Sequence, residues 1–186
     1  EPFADWRGPA HTFLTFGFAG GEQVAISVET RRKQGESYGP LKGLFRQYEL
    51  AYIVGDERDL IGLRTNVRGH PVYLYPIRAT KEQMRALFVS MLRRANRLTE
   101  APEFYNTLTN TCTTNITRHL AELTGEPLPV DLRVILPGYA DGLALELGLI
   151  DAEGSLDELR DRFRINARSA FGADGPGWSR QIREAR

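Results

Sequence analysis

Cys112 is the single thiol among 186 residues. It lies in the run Glu103-Phe104-Tyr105-Asn106-Thr107-Leu108-Thr109-Asn110-Thr111-Cys112-Thr113-Thr114-Asn115, crowded with Thr and Asn. Ile116, Leu120 and Leu123 follow at helical spacing. That predicts an amphipathic helix with Cys112 in or near its first turn, on the inward stripe. Asn110, Thr109 or Thr111 can supply the N-cap. A thiol in that place feels the positive end of the helix dipole and the unbonded first-turn N–H groups. Both favour thiolate, the nucleophilic form. The competing expectation is a small, inert core side chain.

A cysteine nucleophile needs an imidazole within hydrogen-bond reach, and the chain has three histidines. His119 is on the same helix, roughly 10 Å along its axis at about 1.5 Å per residue, too far for direct contact. His70 sits in the turn Arg68-Gly69-His70-Pro71, where an exposed histidine is the ordinary outcome. His11 opens a strand beside an apolar hairpin, where a sheet can present it to a helix-borne cysteine. Histidine then precedes cysteine in the chain.

The elements that must position this pair are legible in outline. His11 to Phe18 and Gln23 to Thr30 are strand-like runs around Gly20-Gly21, a β-hairpin. A two-residue turn sets Thr30 across from His11. A one-residue bulge sets Ser27 and Glu29 on the His11 face instead. Arg31 to Pro40 reads as a polar loop, either a solvated turn or a basic lip for an anionic headgroup. Leu44 to Val54 and Arg58 to Asn66 read as two further strands, with Arg46, Glu49, Arg58 and Arg64 as paired structural charges. Val72 to Tyr75 reads as a short strand.

Thr80-x-x-Gln83 is a capping-box pattern opening a helix to Leu98, whose stripe of Met84, Leu87, Phe88, Met91, Leu92, Ala95 and Leu98 faces a core. Pro127, Pro129 and Pro137-Gly138 mark a loop-rich passage. Tyr139 to Leu147 and a stretch from Ser155 are shorter helices, and the tail from Gly172 holds a last short one. Trp6 is an expected anchor for the lead-in segment. The expected fold class is α+β, an antiparallel sheet packed against helices. It forms a single domain over 1–186, with a core at 10–150 and a helical extension at 151–186.

Totals narrow the chemistry. Lys+Arg and Asp+Glu balance at 24 each, which gives no global attraction to nucleic acid. One cysteine excludes an internal disulfide framework and a cysteine-rich metal site. No metal or other cofactor is expected, since His11, Cys112 and the scattered carboxylates lack zinc-ligand spacing. No run is long and apolar enough to span a bilayer, and no signal peptide is visible. The chain opens abruptly at Glu1-Pro2-Phe3, as an excised or matured piece would.

The segments AHTFLTFGF (10–18), VAISVETRRKQGESY (24–38), GLFRQYELAYIVGDERDLIGLRTN (43–66), VYLYP (72–76), PEFYNTLTNTCTTN (102–115) and LPGYADGLALELGLI (136–150) resemble the Lnb N-terminal periplasmic domain family. Relatives often carry Gly before the His-Thr-Phe-Leu motif, where this chain has Ala10. The resemblance implies a bacterial domain outside the cytoplasmic membrane, similar to permuted papain-like enzymes, in a family linked to acyl transfer on lipoproteins. It implies Cys112 as nucleophile and His11 as base, with Glu29 a candidate third residue. Asn110, Tyr105 and Asn115 are candidates for oxyanion or substrate positioning, each with a structural alternative: a cap, a loop brace or a helix-surface residue. The implied partner is a lipid or lipoprotein acyl substrate, with membrane proximity supplied by segments outside this chain. Two other functions compete: a cell-wall amidase or peptidase on the same fold, and a non-catalytic binding domain with a buried, unreactive Cys112. An apolar tunnel favours the acyl enzyme, an open polar groove the peptidase.

Overall fold

The computed structural model describes residues 1–2, 8–125, 131–170 and 177–184. Trp6, Pro127, Pro129 and the tail segment 172–176 lie outside the described residues. The fold is α+β. Strands β1 (Phe13–Gly17), β2 (Gln23–Arg31) and β3 (Glu49–Asp56) form an antiparallel sheet in the order β1-β2-β3. β2 is central, and Ala25 through Val28 are all buried rather than alternating. A strand covered on both faces reads that way. Phe16, Ile26, Val28 and Leu50 pack on one side with Tyr48, Met91, Leu98, Tyr105 and Cys112. Phe13 packs on the other with Ile61, Val72, Ile165, Trp178 and Ile182. Each such side chain removed from water contributes about 1.5–3 kcal/mol.

The hairpin takes the bulged register. Phe18 N–H donates to Glu22 O at 2.9 Å and Gly21 N–H to Phe18 O at 3.0 Å. Gly21 sits at φ 94, in the left-handed region that glycine enters without a Cβ clash. This is a three-residue loop closed by a glycine bulge. Phe13 therefore pairs with Ser27. Continuing that register by two residues sets His11, not Thr30's partner, across from Glu29.

Three sequence expectations are corrected. Leu44 closes helix α1 (Pro40–Leu44), and β3 starts only at Glu49. Arg58 to Asn66 is not a strand: helix α2 (Glu57–Gly62) runs into a π-helical turn, Leu63–Val67. Asp56 caps α2 by accepting from the Arg58 N–H, and Glu57 and Asp59 complement the dipole in the first turn. Leu60, Ile61, Arg64 and Thr65 are buried, a helical spacing that an apolar-alternation reading misses. Val72 to Tyr75 forms no ladder; Tyr73 makes an isolated bridge with Arg164.

Helix α3 (Lys81–Glu100) has the expected capping box at Thr80 and Gln83. Helix α4 (Cys112–Thr124) follows the loop from 101 to 111. Short helices α5 (Leu132–Ile135), α6 (Ala140–Glu146), α7 (Leu156–Phe163), α8 (Asn166–Ala170) and α9 (Trp178–Gln181) complete the described residues. Arg183 ties the C-terminal segment to α2, its Nη1 donating to the fully buried Glu57 at 2.8 Å. None of the described helices is long and apolar enough to cross a membrane.

Candidate active site

Cys112 is the first residue of α4, and Thr111 is its N-cap. Thr111 Oγ1 accepts from the Thr114 N–H at 3.1 Å, and Thr114 Oγ1 accepts from the Thr111 N–H at 2.7 Å. Two threonines thus close a capping box in which the usual third-position Glu or Gln is a hydroxyl. The N–H groups of the first two helical residues, Cys112 and Thr113, have no acceptor inside the helix.

Asn110 and Asn115 brace this turn from behind. Asn115 Nδ2 donates to Asn110 Oδ1 and to Thr111 O, both at 2.8 Å, and Tyr52 Oη donates to Asn115 Oδ1 at 3.2 Å. Asn110 Nδ2 donates to Phe104 O at 2.9 Å. These contacts are those of loop braces; neither amide is bonded to the thiol. Tyr105 is buried in the same core cluster as Cys112. Burial first, and then the charge of a Cys112 thiolate, push its phenol pKa up.

His11 is the histidine beside Cys112: the charge of its imidazolium and the Thr12 N–H both act to lower the Cys112 thiol pKa, and the Cys112 thiolate in turn raises that of His11. Thr12 Oγ1 lies 3.2 Å from Thr113 Oγ1, pinning the start of the hairpin to the start of the helix. The far ring nitrogen, His11 Nε2, lies 2.6 Å from Ser27 Oγ and 3.2 Å from Glu29 Oε1. That leaves Nδ1 as the ring nitrogen for the thiol.

Behind His11 stands a charged layer that sequence reasoning only half found. Ser27 Oγ donates to Glu29 Oε1 at 2.8 Å. Arg64, from the π-helical turn, donates to the same oxygen at 2.5 Å, to Ser27 Oγ at 3.0 Å and to Glu1 Oε2 at 2.6 Å. Its side chain is only 3 % exposed. Arg64 is a paired charge, as expected, but it is paired at the site. Its signal was masked because residues 58–66 read as a strand. His70, expected as an exposed turn residue, is half-buried, with Nδ1 2.9 Å from Glu1 Oε1. His119 is remote from the thiol, as expected; it is buried between Tyr52 Oη (3.0 Å) and Ser90 Oγ (2.8 Å).

The electrostatics follow from this packing. Burial alone pushes the His11 pKa down, but the Cys112 thiolate and the Glu29 carboxylate outweigh it and the pKa is raised. Burial alone pushes the Cys112 thiol up, but the His11 cation, the Thr12 N–H and the Thr113 hydroxyl bring it below its ordinary value. Burial raises Glu29, and His11, Arg64 and Ser27 together lower it. The pair is therefore set toward thiolate and imidazolium, the form in which cysteine is nucleophilic.

His11 and Thr12, which favour the Cys112 thiolate, also line a cavity of about 440 Å³, within the range of small-molecule sites. Its walls are mainly apolar: Phe13, Leu14, Leu74, Ile77, Ala144 and Ile150. One polar cluster interrupts them. Arg160 donates to both Asp141 oxygens, at 2.7 and 2.8 Å, and Tyr75 Oη donates to Asp141 at 3.3 Å.

A family model, the Lnb N-terminal periplasmic domain, matches residues 2–138, and the chain belongs to that family. Membership brings an extracytoplasmic location. No curated protein and no solved structure gives a match.

Proposed function

We propose that this member of the Lnb N-terminal periplasmic domain family is a cysteine-dependent acyltransferase or acyl hydrolase working at the outer face of the bacterial cytoplasmic membrane. The observation that carries the reading is the apolar cavity bordered by His11 and Thr12, the two residues beside the buried Cys112 whose imidazolium and N–H favour its thiolate. A histidine at the mouth of the hairpin, ahead of a helix-borne cysteine in the chain, matches the permuted papain-like order. The mainly apolar lining suits an acyl chain better than a peptidoglycan stem peptide.

In this mechanism the Cys112 thiolate adds to an ester carbonyl. The developing oxyanion is held by the Cys112 backbone N–H at the helix start. His11, as imidazolium, gives its proton to the departing alkoxide, and a thioester remains on Cys112. Water or an amine then attacks the thioester. His11 takes the proton, the acyl group leaves on the new acceptor, and the thiolate returns. Glu29 and Ser27 orient the ring and stabilise its charged form, and Arg64 fixes Glu29.

The test is to incubate the protein with phospholipid and with acyl esters of increasing chain length, then trap the enzyme at low pH. The expected result is a hydroxylamine-labile acyl adduct on Cys112, absent in Cys112→Ser and His11→Ala. Ala144→Phe, which fills the cavity, is expected to lower the rate for long chains at least tenfold while sparing short ones, a difference of about 1.4 kcal/mol in transition-state binding. Cleavage of muropeptides with no acyl adduct from any ester would replace this reading with the amidase.

A further inference from the structure

Five large apolar side chains stand in solvent on one end of the molecule: Leu41 and Phe45 are each 71 % exposed, Phe104 54 %, Leu108 48 % and Leu44 37 %. Single exposed apolar residues need no explanation, but a cluster does. The cluster is a built unit. Thr107 Oγ1 donates to Pro40 O at 2.8 Å, and Asn106 Nδ2 donates to Leu44 O at 3.1 Å, joining α1 to the loop that leads to Cys112. Gly43 permits the contact, since a Cβ there would fall 2.5 Å from Thr107 Oγ1. Glu49 bridges to Phe104 and pairs with Arg31 at 3.1 Å.

Cations ring this end. Arg31, Arg32 and Lys33 run out from β2, Lys42 lies on α1, and Arg46 follows it; all are exposed. Arg31 and Lys42 hold half-buried carboxylate partners, Glu49 and Glu36. Among the described residues, Arg32, Lys33 and Arg46 have no ion-pair partner. Arg46 also sits at φ 54, a left-handed setting unfavourable for its side chain and a kind of strain associated with functional surfaces.

We propose that α1 and residues 104–108 dock this domain on an anionic lipid bilayer surface. Leu41, Phe45, Phe104 and Leu108 enter the boundary between headgroups and acyl chains, and Arg32, Lys33 and Arg46 meet lipid phosphates. Large apolar side chains flanked by basic ones are the composition of interfacial anchors. Charge complementarity selects the anionic bilayer over a neutral one. The docking loop ends on Thr111, the cap of α4, so the contact holds the Cys112 end of that helix toward the lipid. The proposal stands apart from the cysteine chemistry.

The experiment is co-sedimentation with vesicles of phosphatidylglycerol and phosphatidylcholine against phosphatidylcholine alone. Binding is expected to the anionic vesicles, weakening with salt. It is expected to fall at least about tenfold in Leu41→Ser/Phe45→Ser and in Arg32→Glu/Lys33→Glu, each charge being worth roughly a fivefold change near such a surface. Val67→Ser, an exposed apolar residue on the π-helical turn, and Cys112→Ser are expected to bind as wild type. Phe45→Trp should show a blue-shifted emission on anionic vesicles. No binding by the wild type, or binding indifferent to the Leu41/Phe45 change, overturns the proposal. So does a dimer in solution that Leu41→Ser/Phe45→Ser dissolves, which would make the patch a protein interface.

Discussion

Glu29 Oε1 lies 3.2 Å from His11 Nε2, and the relationship is set by a turn at the opposite end of the hairpin. The extra residue in the Ala19-Gly20-Gly21 loop shifts the register, so that Phe13 faces Ser27 and the carboxylate two residues on faces the imidazole. Without that residue every β2 side chain would change face, and Glu29 would point away from the site.

Glu29→Gln keeps the size of the side chain and removes its charge. Glu29 is one of the groups that hold the His11 pKa up, so His11 should lose its proton at lower pH in the variant. The expected result is a severalfold fall in iodoacetamide alkylation of Cys112 at neutral pH, since less of the thiol is held as thiolate. Thermal unfolding, followed alongside, should show a loss smaller than that of Arg64→Met, since Arg64 keeps Glu1 as its partner.

The alkylation rate of Cys112 across the pH range tests the pair itself. Its pKa is lowered by His11 against the effect of burial, so the native thiol should react with an apparent pKa below the free value of about 8.5. In His11→Ala that shift should vanish, and burial alone should leave the thiol slower and more basic. For an acyl-transfer activity the same pair predicts a bell-shaped profile. Its acid limb is set by Cys112 losing its proton, and its alkaline limb lies above about 6.5, where a free imidazole is neutral. A thiol inert in both proteins until they unfold would mark Cys112 as a packed core residue.

Arg64 and Arg31 both pair with glutamates, and burial separates their effects. Arg64 is enclosed, and Arg64→Met leaves Glu1 and Glu29 facing each other's charge without a cation between them. Breaking a buried ion pair at one partner costs about 3–5 kcal/mol. Arg31 meets Glu49 in solvent, and Arg31→Met should cost roughly 0–1 kcal/mol. Urea unfolding of the two variants checks the contrast; equal losses would place the Arg64 cluster among surface ion pairs in energy.

The residues of the site were legible where one local rule governs them. Cys112 at a helix start follows from the Thr-rich cap and the Ile116, Leu120, Leu123 stripe, and α3 follows from Thr80 and Gln83. His11 near Cys112 was reached by elimination among three histidines. The register that brings Glu29 in depends on a loop of small residues that accommodates two or three residues equally well, so it stayed open. Arg64 was hidden because Leu60, Ile61, Leu63 and Arg64 sit in a run whose apolar residues suit a strand as well as a helix. The deciding cue, Asp56 as N-cap before Glu57 and Asp59, is short and easily outvoted. The cavity joins β1 to residues 73–77 and 137–160, a long-range closure that no local spacing encodes.

His119 offers a last test, because it is buried away from any counter-charge strong enough to keep it protonated. Burial foremost, with Arg94, Arg97 and Arg118 adding to it and Glu122 opposing, lowers the His119 pKa in the folded protein. Tyr52 and Ser90 hold the neutral ring. Above about pH 6.5 the residue is neutral folded or unfolded and adds no pH dependence. As pH falls below that value the unfolded chain binds a proton that the folded one refuses, so stability is lost. Urea midpoints against pH should therefore fall less steeply toward acid in His119→Gln than in wild type. Parallel curves for the two proteins would mean that His119 has the same proton affinity in the folded and unfolded chain, and its burial as a neutral ring would fall with that result.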